Sequence, residues 1–366
     1  DTSTNTLLLQ LFCPNNQITS LDLSTNVNIT RFTAYNNNLS ELNVQNGTNA
    51  QIIQFFITQN DNLTCVLVDD AVYSAANWTN KDVQTSFTDT GCTTDYSLNI
   101  KAYLQGALLN PNTGEDNLMR DDLRVEGIIP TTSPYGDGLT AASSVFNNGG
   151  TSGTGAINDN IVDWIWVELR SEIDNTLVIA SQSALLQRDG DIVATDGISA
   201  LTLSLSTSRP YIAIKHRNHL SIMANTITVL DDMATTNVDF TDANNQITYG
   251  TDAQTSFGMP SGVVAMWAGD TNDDGNLNYL GALSDIPSIR SQVFNDPANS
   301  VFGGRPVATY QSQGYYATDV NMDGVTIFSG ASTDVLFIRN NIFNNPSNSV
   351  FGGPPVATYV FTQQLP

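Results

Sequence analysis

Two hydrophobic rhythms divide this chain. Over residues 7–68, Leu9, Leu11 and Cys13 lead through Asn16 and Ile18 to Leu21 and Leu23, and the same order returns in Phe32, Ala34, Asn37, Leu39, Leu42 and Val44. Asn16 to Asn37 and Leu21 to Leu42 are both 21 residues apart, and a longer third turn carries Ile53, Phe55, Ile57, Asn60 and Leu63. A leucine-rich-repeat pattern of this kind predicts short strands stacked turn on turn, aliphatics inward, with asparagines bonding backbone groups at the bends. Residues 64–92 read as a closing cap in which Trp78 and Phe87 cover the end of the stack.

From Leu98 to Trp267 the period shortens to two or breaks into short apolar runs. Leu98–Leu104, Ile161–Leu169, Leu177–Leu186, Ala200–Leu205, Pro210–Lys215, Leu220–Met223 and Val263–Trp267 are the strand candidates. They predict an antiparallel β-sandwich of about seven to nine strands. Ile161–Arg170 is largely apolar on both faces, as a central strand should be, and Asn147–Gly155 reads as a Gly-Thr-Ser loop.

The last hundred residues contain one unit written twice, 49 residues apart. Asn299-Ser-Val-Phe-Gly-Gly304 returns as Asn348-Ser-Val-Phe-Gly-Gly353, and Pro306–Tyr310 as Pro355–Tyr359. Each copy opens on D-x-N-x-D-G, which sets oxygen side chains on alternate positions of a tight loop with Gly at the turn, the pattern of a calcium loop. The expected side-chain ligands are Asp270, Asn272 and Asp274, then Asp319, Asn321 and Asp323; position 7 gives a backbone carbonyl, from Asn276 and Val325. Gly281 and Gly330 stand where a closing acid is usual, so Asp285 and Asp334, four residues on, are the expected closing ligands at the starts of helices over 286–294 and 335–343. Two Ca2+ sites follow.

The loop and helix in duplicate resemble the dockerin type I domain, a pair of calcium half-EF-hands, with a four-residue insertion before the closing acid and tails of their own. The leucine-rich repeats and cap, together with Leu98–Gly106, Ser183–Asp191 and the terminal Gln364-Leu365-Pro366, resemble large surface proteins that Gram-negative bacteria secrete through a type IX system. That resemblance implies a location, extracellular or at the cell surface, more than an activity.

Charge narrows the partners. Thirteen basic against thirty-six acidic residues leave a net charge of −23, which argues against nucleic acid and against a bare anionic membrane. No apolar stretch approaches the length of a membrane-spanning helix. The chain opens inside a repeat, so it reads as processed or as a piece of something longer. Cys65 and Cys92 flank the cap and are the expected disulfide, in an oxidising compartment, while Cys13 sits at an inward repeat position as a buried thiol.

Other chemistry is thin. His216 and His219 are the only histidines and read as a hydrogen-bonded turn rather than a metal site. Asp121-Asp122, Asp189/Asp191 and Asp231-Asp232 read as turns or solvated edges, with a further calcium at Asp189 and Asp191 as the alternative. Trp78, Trp164, Trp166, Trp267 and Tyr135 could form a sugar platform, though core packing competes.

The expectation is a mainly β chain: repeats and cap over 1–92, a sandwich over 93–267 and two calcium-binding repeats over 268–366. It reads as a non-enzymatic structural or adhesive protein that meets protein or glycan at the cell surface. Self-association into a fibre could use the open repeat end, strand edges and an extended tail, Val356–Pro366. The alternatives are a carbohydrate-binding module of a larger secreted protein and a docking or sorting unit for export.

Overall fold

Each turn of the first 94 residues supplies strands of three residues. The computed structural model describes residues 2–146, 157–300, 304–348 and 354–366, so the 147–155 loop and most of both Val-Phe-Gly-Gly stretches lie outside it. The chain is mainly β and divides into two compact units, Asp1–Thr94 and Asp95–Pro366.

In the first unit, β1 (Gln10–Phe12), β3 (Arg31–Thr33) and β5 (Gln54–Phe56) form one parallel sheet. β2 (Ser20–Asp22), β4 (Glu41–Asn43), β6 (Cys65–Leu67) and β7 (Ser86–Thr88) form a second, with α1 (Ala71–Asn77) between β6 and β7. Parallel register sets like on like: Leu11 opposite Phe32 and Phe32 opposite Phe55 in one sheet, Leu21 opposite Leu42 in the other. The repeat period therefore stacks apolar side chains in a column, and Leu23, Ile29, Phe32, Leu39, Ile57 and Leu63 are fully buried.

The asparagines do the work expected at the bends. Asn37 donates to the carbonyls of Cys13 (2.9 Å) and Ala34 (3.0 Å) and accepts from the Ile18 N–H (3.1 Å). One turn on, Asn60 donates to Ala34 (3.1 Å) and Ile57 (2.9 Å) and accepts from Leu39 (3.1 Å). The Asp82 carboxylate supplies the next rung, accepting from the N–H groups of Gln59 and Asn60 at 2.8 Å. Each rung satisfies backbone groups whose burial unpaired would cost about 1–3 kcal/mol. At the far end Trp78 lies flat on Phe55, ring centroids 4.1 Å apart, with Phe87 edge-on to both. A disulfide joins Cys65 to Cys92, and Cys13 is free and half-buried.

The second unit is built on β8 (Thr94–Lys101), β9 (Ile161–Arg170), β10 (Val178–Gln187), β11 (Asp191–Val193), β12 (Leu201–Leu205), β13 (Tyr211–His216), β14 (His219–Met223) and β15 (Thr236–Asp239). These hydrogen-bond along one path, β12-β8-β11-β10-β9-β13-β14, with β15 parallel to β8. Among the described residues this is one eight-stranded sheet and not two facing sheets. β9 is central, antiparallel to both β10 and β13. The reason for the single sheet lies in what covers it. Trp164 of β9 packs beside Phe146 and donates to the Pro130 carbonyl (2.7 Å), so a segment without strands takes the place of a second sheet. Helices α2 (Gln105–Leu108) and α3 (Asp122–Val125) add Ala107, Leu108 and Leu123 to the same core.

The remainder holds β16 (Gln254–Thr255), β17 (Ala265–Met266), β18 (Asn276–Asn278), α4 (Ile286–Asn295), β19 (Gln311–Gln313), β20 (Val325–Ile327), α5 (Asp334–Asn344) and β21 (Val360–Thr362). Both expected helices are present, each slightly longer. The copies pair crosswise: β19, after the first helix, joins β20 of the second loop, and β21, after the second helix, returns to β18 of the first. Residues 360–362 of the terminal tail thus already pair with β18 on one edge. Leu220 and Trp267 share a core with Leu277, Ile289, Val320, Ile338, Ile342 and Phe361, so the regions expected to part at residue 268 form one body.

Candidate metal centre

The two D-x-N-x-D-G loops superimpose in their hydrogen bonds. Asp270 accepts from the N–H groups of Asp274 (3.1 Å) and Gly275 (2.9 Å), as Asp319 does from Asp323 (3.1 Å) and Gly324 (2.8 Å). Asn272 donates to Asp274 (3.1 Å) and Asn321 to Asp323 (2.8 Å). Asp274 and Asp323 then accept from the backbone of Asn276 (2.9 Å) and Val325 (3.0 Å). Such closure needs left-handed backbone: Asp273 and Met322 lie at φ 56° and 58°, and Gly275 and Gly324 at 74° and 85°.

The partner strands of β18 and β20 set the register at position 7. Gln363 N–H donates to the Gly275 carbonyl (2.8 Å) and Gly314 N–H to that of Gly324 (3.1 Å). Asn276 and Val325 therefore occupy non-hydrogen-bonded positions of their antiparallel pairs, and their carbonyls turn away from the partner strand.

Asp285 and Asp334, the expected closing ligands, are held by backbone N–H groups. Both oxygens of Asp285 accept backbone N–H groups, from Thr271 (2.9 Å) and Asn278 (2.8 Å). Those of Asp334 accept from Val320 (2.6 Å) and Ile327 (2.7 Å). Each carboxylate staples loop position 2 to the strand that follows. Asp334 opens α5, whose cap is Thr333, while Asp285 precedes α4 without a side-chain cap bond.

Burial first, and then repulsion from neighbouring acids, raises these carboxyls against the pull of the backbone N–H groups. Asp270 is pushed up to about 6 and Asp285 to about 7. Asp319 rises to about 7 although Arg217 opposes it, and Asp334 rises well above the usual range. A divalent cation in the loop would reverse that balance and ionise them.

The donor set fits calcium. Asp270, Asn272, Asp274 and the Asn276 carbonyl, like Asp319, Asn321, Asp323 and the Val325 carbonyl, offer only hard oxygens. Among the described residues no three His, Cys, Asp or Glu side chains gather at one point, so such a site must use amide and backbone oxygens as well. The first loop has a further donor that the motif did not flag: Asn278 at position 9, whose buried Oδ1 has no hydrogen-bond partner while its Nδ2 donates to Ala282. Position 9 of the second loop is Ile327. A calcium ion there would cross-link loop and strand by charge.

The loops differ most in surroundings. Asn272 and Asp274 are exposed, whereas Asn321 and Asp323 are half-buried. Where the first loop has exposed Asp273, the second has Met322, which enters the main core beside the sheet. Arg120 donates to the Asn321 carbonyl (2.6 Å) and Asn218 to that of Asp319 (2.6 Å).

Asn218 belongs to the two-histidine turn, which is a buried joint. His216 Nε2 is 3.1 Å from Asp163 Oδ2, His216 and His219 face each other through Nδ1 at 3.0 Å, and His219 Nε2 accepts from Gly106 (3.1 Å). One assignment satisfies these contacts: both imidazoles neutral, the His219 Nδ1 proton shared between Asn218 Oδ1 (2.7 Å) and His216, and His216 donating to Asp163. Burial pushes His216 down and, with His216 and Arg217 nearby, His219 far down. Burial alone would raise Asp163, but Arg217 at 3.0 Å and bonds from His216 and Tyr315 hold it at about 2.

The remaining candidates are mostly packed or paired. Trp78, Trp164 and Trp267 are buried, and Trp166 and Tyr135 lie against each other at 5.7 Å, so these rings form no exposed row. Asp121 pairs with Arg124, Asp122 with Arg120 and Asp191 with Lys101. The chain matches no family model, no curated protein and no solved structure.

Proposed function

We propose that this is a calcium-stabilised, non-enzymatic structural or adhesive protein of the extracellular space or cell surface. On this reading the first unit is a leucine-rich solenoid end, and the last hundred residues are tandem dockerin-like calcium repeats docked on a β-sheet. The observation that carries it is the duplicated loop: the same hydrogen-bond frame built twice, around Asp270 and around Asp319, with both of these buried carboxyls raised by burial and by acidic neighbours. The disulfide supports secretion into an oxidising compartment, and a Gram-negative surface is the setting that the sequence resemblance favours. The partners on this reading are protein or glycan, and self-association into a fibre would use exposed strand edges.

Thermal unfolding with calcium and with a chelator tests the metal. Calcium should raise Tm by several degrees, as any ligand that prefers the native state does. No shift would sink the calcium reading.

A second reading, glycan binding, rests on one face of the first unit. Phe12, Thr33 and Phe56 lie in register across three parallel strands, with Phe12 and Phe56 exposed, beside the row Gln10, Arg31 and Gln54. Loss of retention on insoluble glycans in Phe12→Ala would support it; no retention of the unaltered protein would exclude it.

A further inference from the structure

The two loops are alike in themselves and unlike in what holds their strands. β20 is held by β19, which begins only 14 residues earlier in the chain (Gln311 to Val325). β18 is held by β21, and Asn276 faces Thr362, 86 residues on. The carbonyl expected as position-7 ligand in the first loop is thus aimed by the last residues of the sequence.

Those residues are received in detail. Phe361 is buried opposite Leu277, with its ring centroid 5.7 Å from that of Trp267. Its counterpart in the first copy is Ser312, which instead donates to Asp296 (2.6 Å). The Thr362 hydroxyl donates to Asn276 Oδ1 (2.7 Å), and the Gln363 side chain accepts from the Ser221 N–H (3.3 Å). Gly275 makes room for that side chain: a Cβ there would stand 2.7 Å from Gln363 Nε2.

We propose that Phe361 and Gln363 are positioning residues for the first metal site, and that metal binding at the first loop and docking of the C-terminal strand strengthen each other. The inference rests on the calcium reading and adds to it. Without β21 the segment 276–278 has no partner to set its pleat, and the Asn276 carbonyl loses its direction. With metal bound, the loop presents β18 in the register that β21 needs. Linkage makes the two effects equal in free energy, so whatever factor the strand adds to metal affinity, metal must add to strand docking. The second loop contains its own strand pair and serves as an internal control within one molecule.

The test uses the full chain in the Asp323→Ala background, where only the first loop keeps its three ligands, and in the Asp274→Ala background, where only the second does. Calcium affinity is measured by titration calorimetry with and without Phe361→Ala, and amide hydrogen exchange at Leu277 and Phe361 is followed with and without calcium. Phe361→Ala should weaken binding tenfold or more in the first background and less than twofold in the second. Calcium should slow exchange at Leu277 and Phe361 in the unaltered protein. Equal affinities with and without Phe361→Ala, or exchange at these amides that ignores bound calcium, would overturn the positioning role and leave the calcium reading intact. An unaltered chain that binds no calcium would overturn both. If Phe361→Ala fails to fold, Gln363→Ala and the exchange measurement on the unaltered chain decide the matter alone.

Discussion

The side-chain amides of Gln105 and Asn341 exchange two hydrogen bonds, each 2.8 Å long, across 236 residues of sequence. Both side chains are fully buried. Asn341 also donates to the Ala268 carbonyl (2.8 Å), and Gln105 accepts from the Ala268 N–H (3.1 Å). Three segments, α2, the strand end before the first loop and α5, therefore meet on one amide pair. Asn341→Ala should cost about 2 kcal/mol or more, because it removes both bonds to Gln105 and the one to the Ala268 carbonyl inside a buried site. Chemical denaturation of the variant checks this; a cost below about 0.5 kcal/mol, the scale of ordinary surface changes, would show that the pair is incidental.

The histidine turn sets an acid limit. Both imidazoles are buried with pKa values below the unfolded value near 6.5. Their neutral state therefore supports folding above pH 6.5, and stability falls as pH drops below it, because only the unfolded chain takes up the protons. The slope reaches at most about 1.4 kcal/mol per pH unit for one histidine, and His219, pushed furthest down, contributes most of it. Asp163, held at about 2, adds its own loss only at more acid pH. The raised loop carboxyls act in the opposite sense without metal, so the scan belongs at saturating calcium. His219→Gln, which can still accept the Gly106 N–H, should flatten the slope between pH 6.5 and 5.

The second loop should matter more to folding than the first. Met322 anchors it in the main core, and Arg120 and Asn218 hold its carbonyls, whereas Asn272 and Asp274 face solvent. Asp323→Ala should lower Tm in calcium by several degrees more than Asp274→Ala. Equal shifts in paired calorimetric scans would contradict the assignment.

Reduction of Cys65–Cys92 should destabilise the first unit by about 3–4 kcal/mol, from the entropy of a closed loop with its ends 27 residues apart. Tm of the second unit should stay unchanged, since none of its residues takes part in the bridge. Scans with and without reductant measure both.

What the sequence revealed follows from how local each determinant is. Leu21 over Leu42, and the rungs at Asn37 and Asn60, were legible because a repeat brings the same residue to the same height in every turn. The loop residues Asp270 to Asn276 were legible because the ligands lie within seven positions and are written twice. The crosswise pairing of β21 with β18 was not, because nothing periodic connects Phe361 to Leu277. A signal did exist in the breaks between the copies: Ser312 against Phe361 and Asn278 against Ile327 mark points where the copies meet different neighbours. The single sheet escaped because its cover, around Pro130 and Phe146, has no strand period. His216 and His219 were read as a turn, and their neighbours Asp163, Tyr315 and Gly106 come from three distant segments.

The crosswise pairing also imposes an order on synthesis. β20 finds its partner already made, but β18 must wait until Phe361, made far later, can reach it. Contacts so distant in sequence form late, after the loop-closure entropy has been met by other pairings. Completion of the first loop thus waits on a strand 86 residues further along, and a defect in β21 shows itself at β18, far from the altered residue.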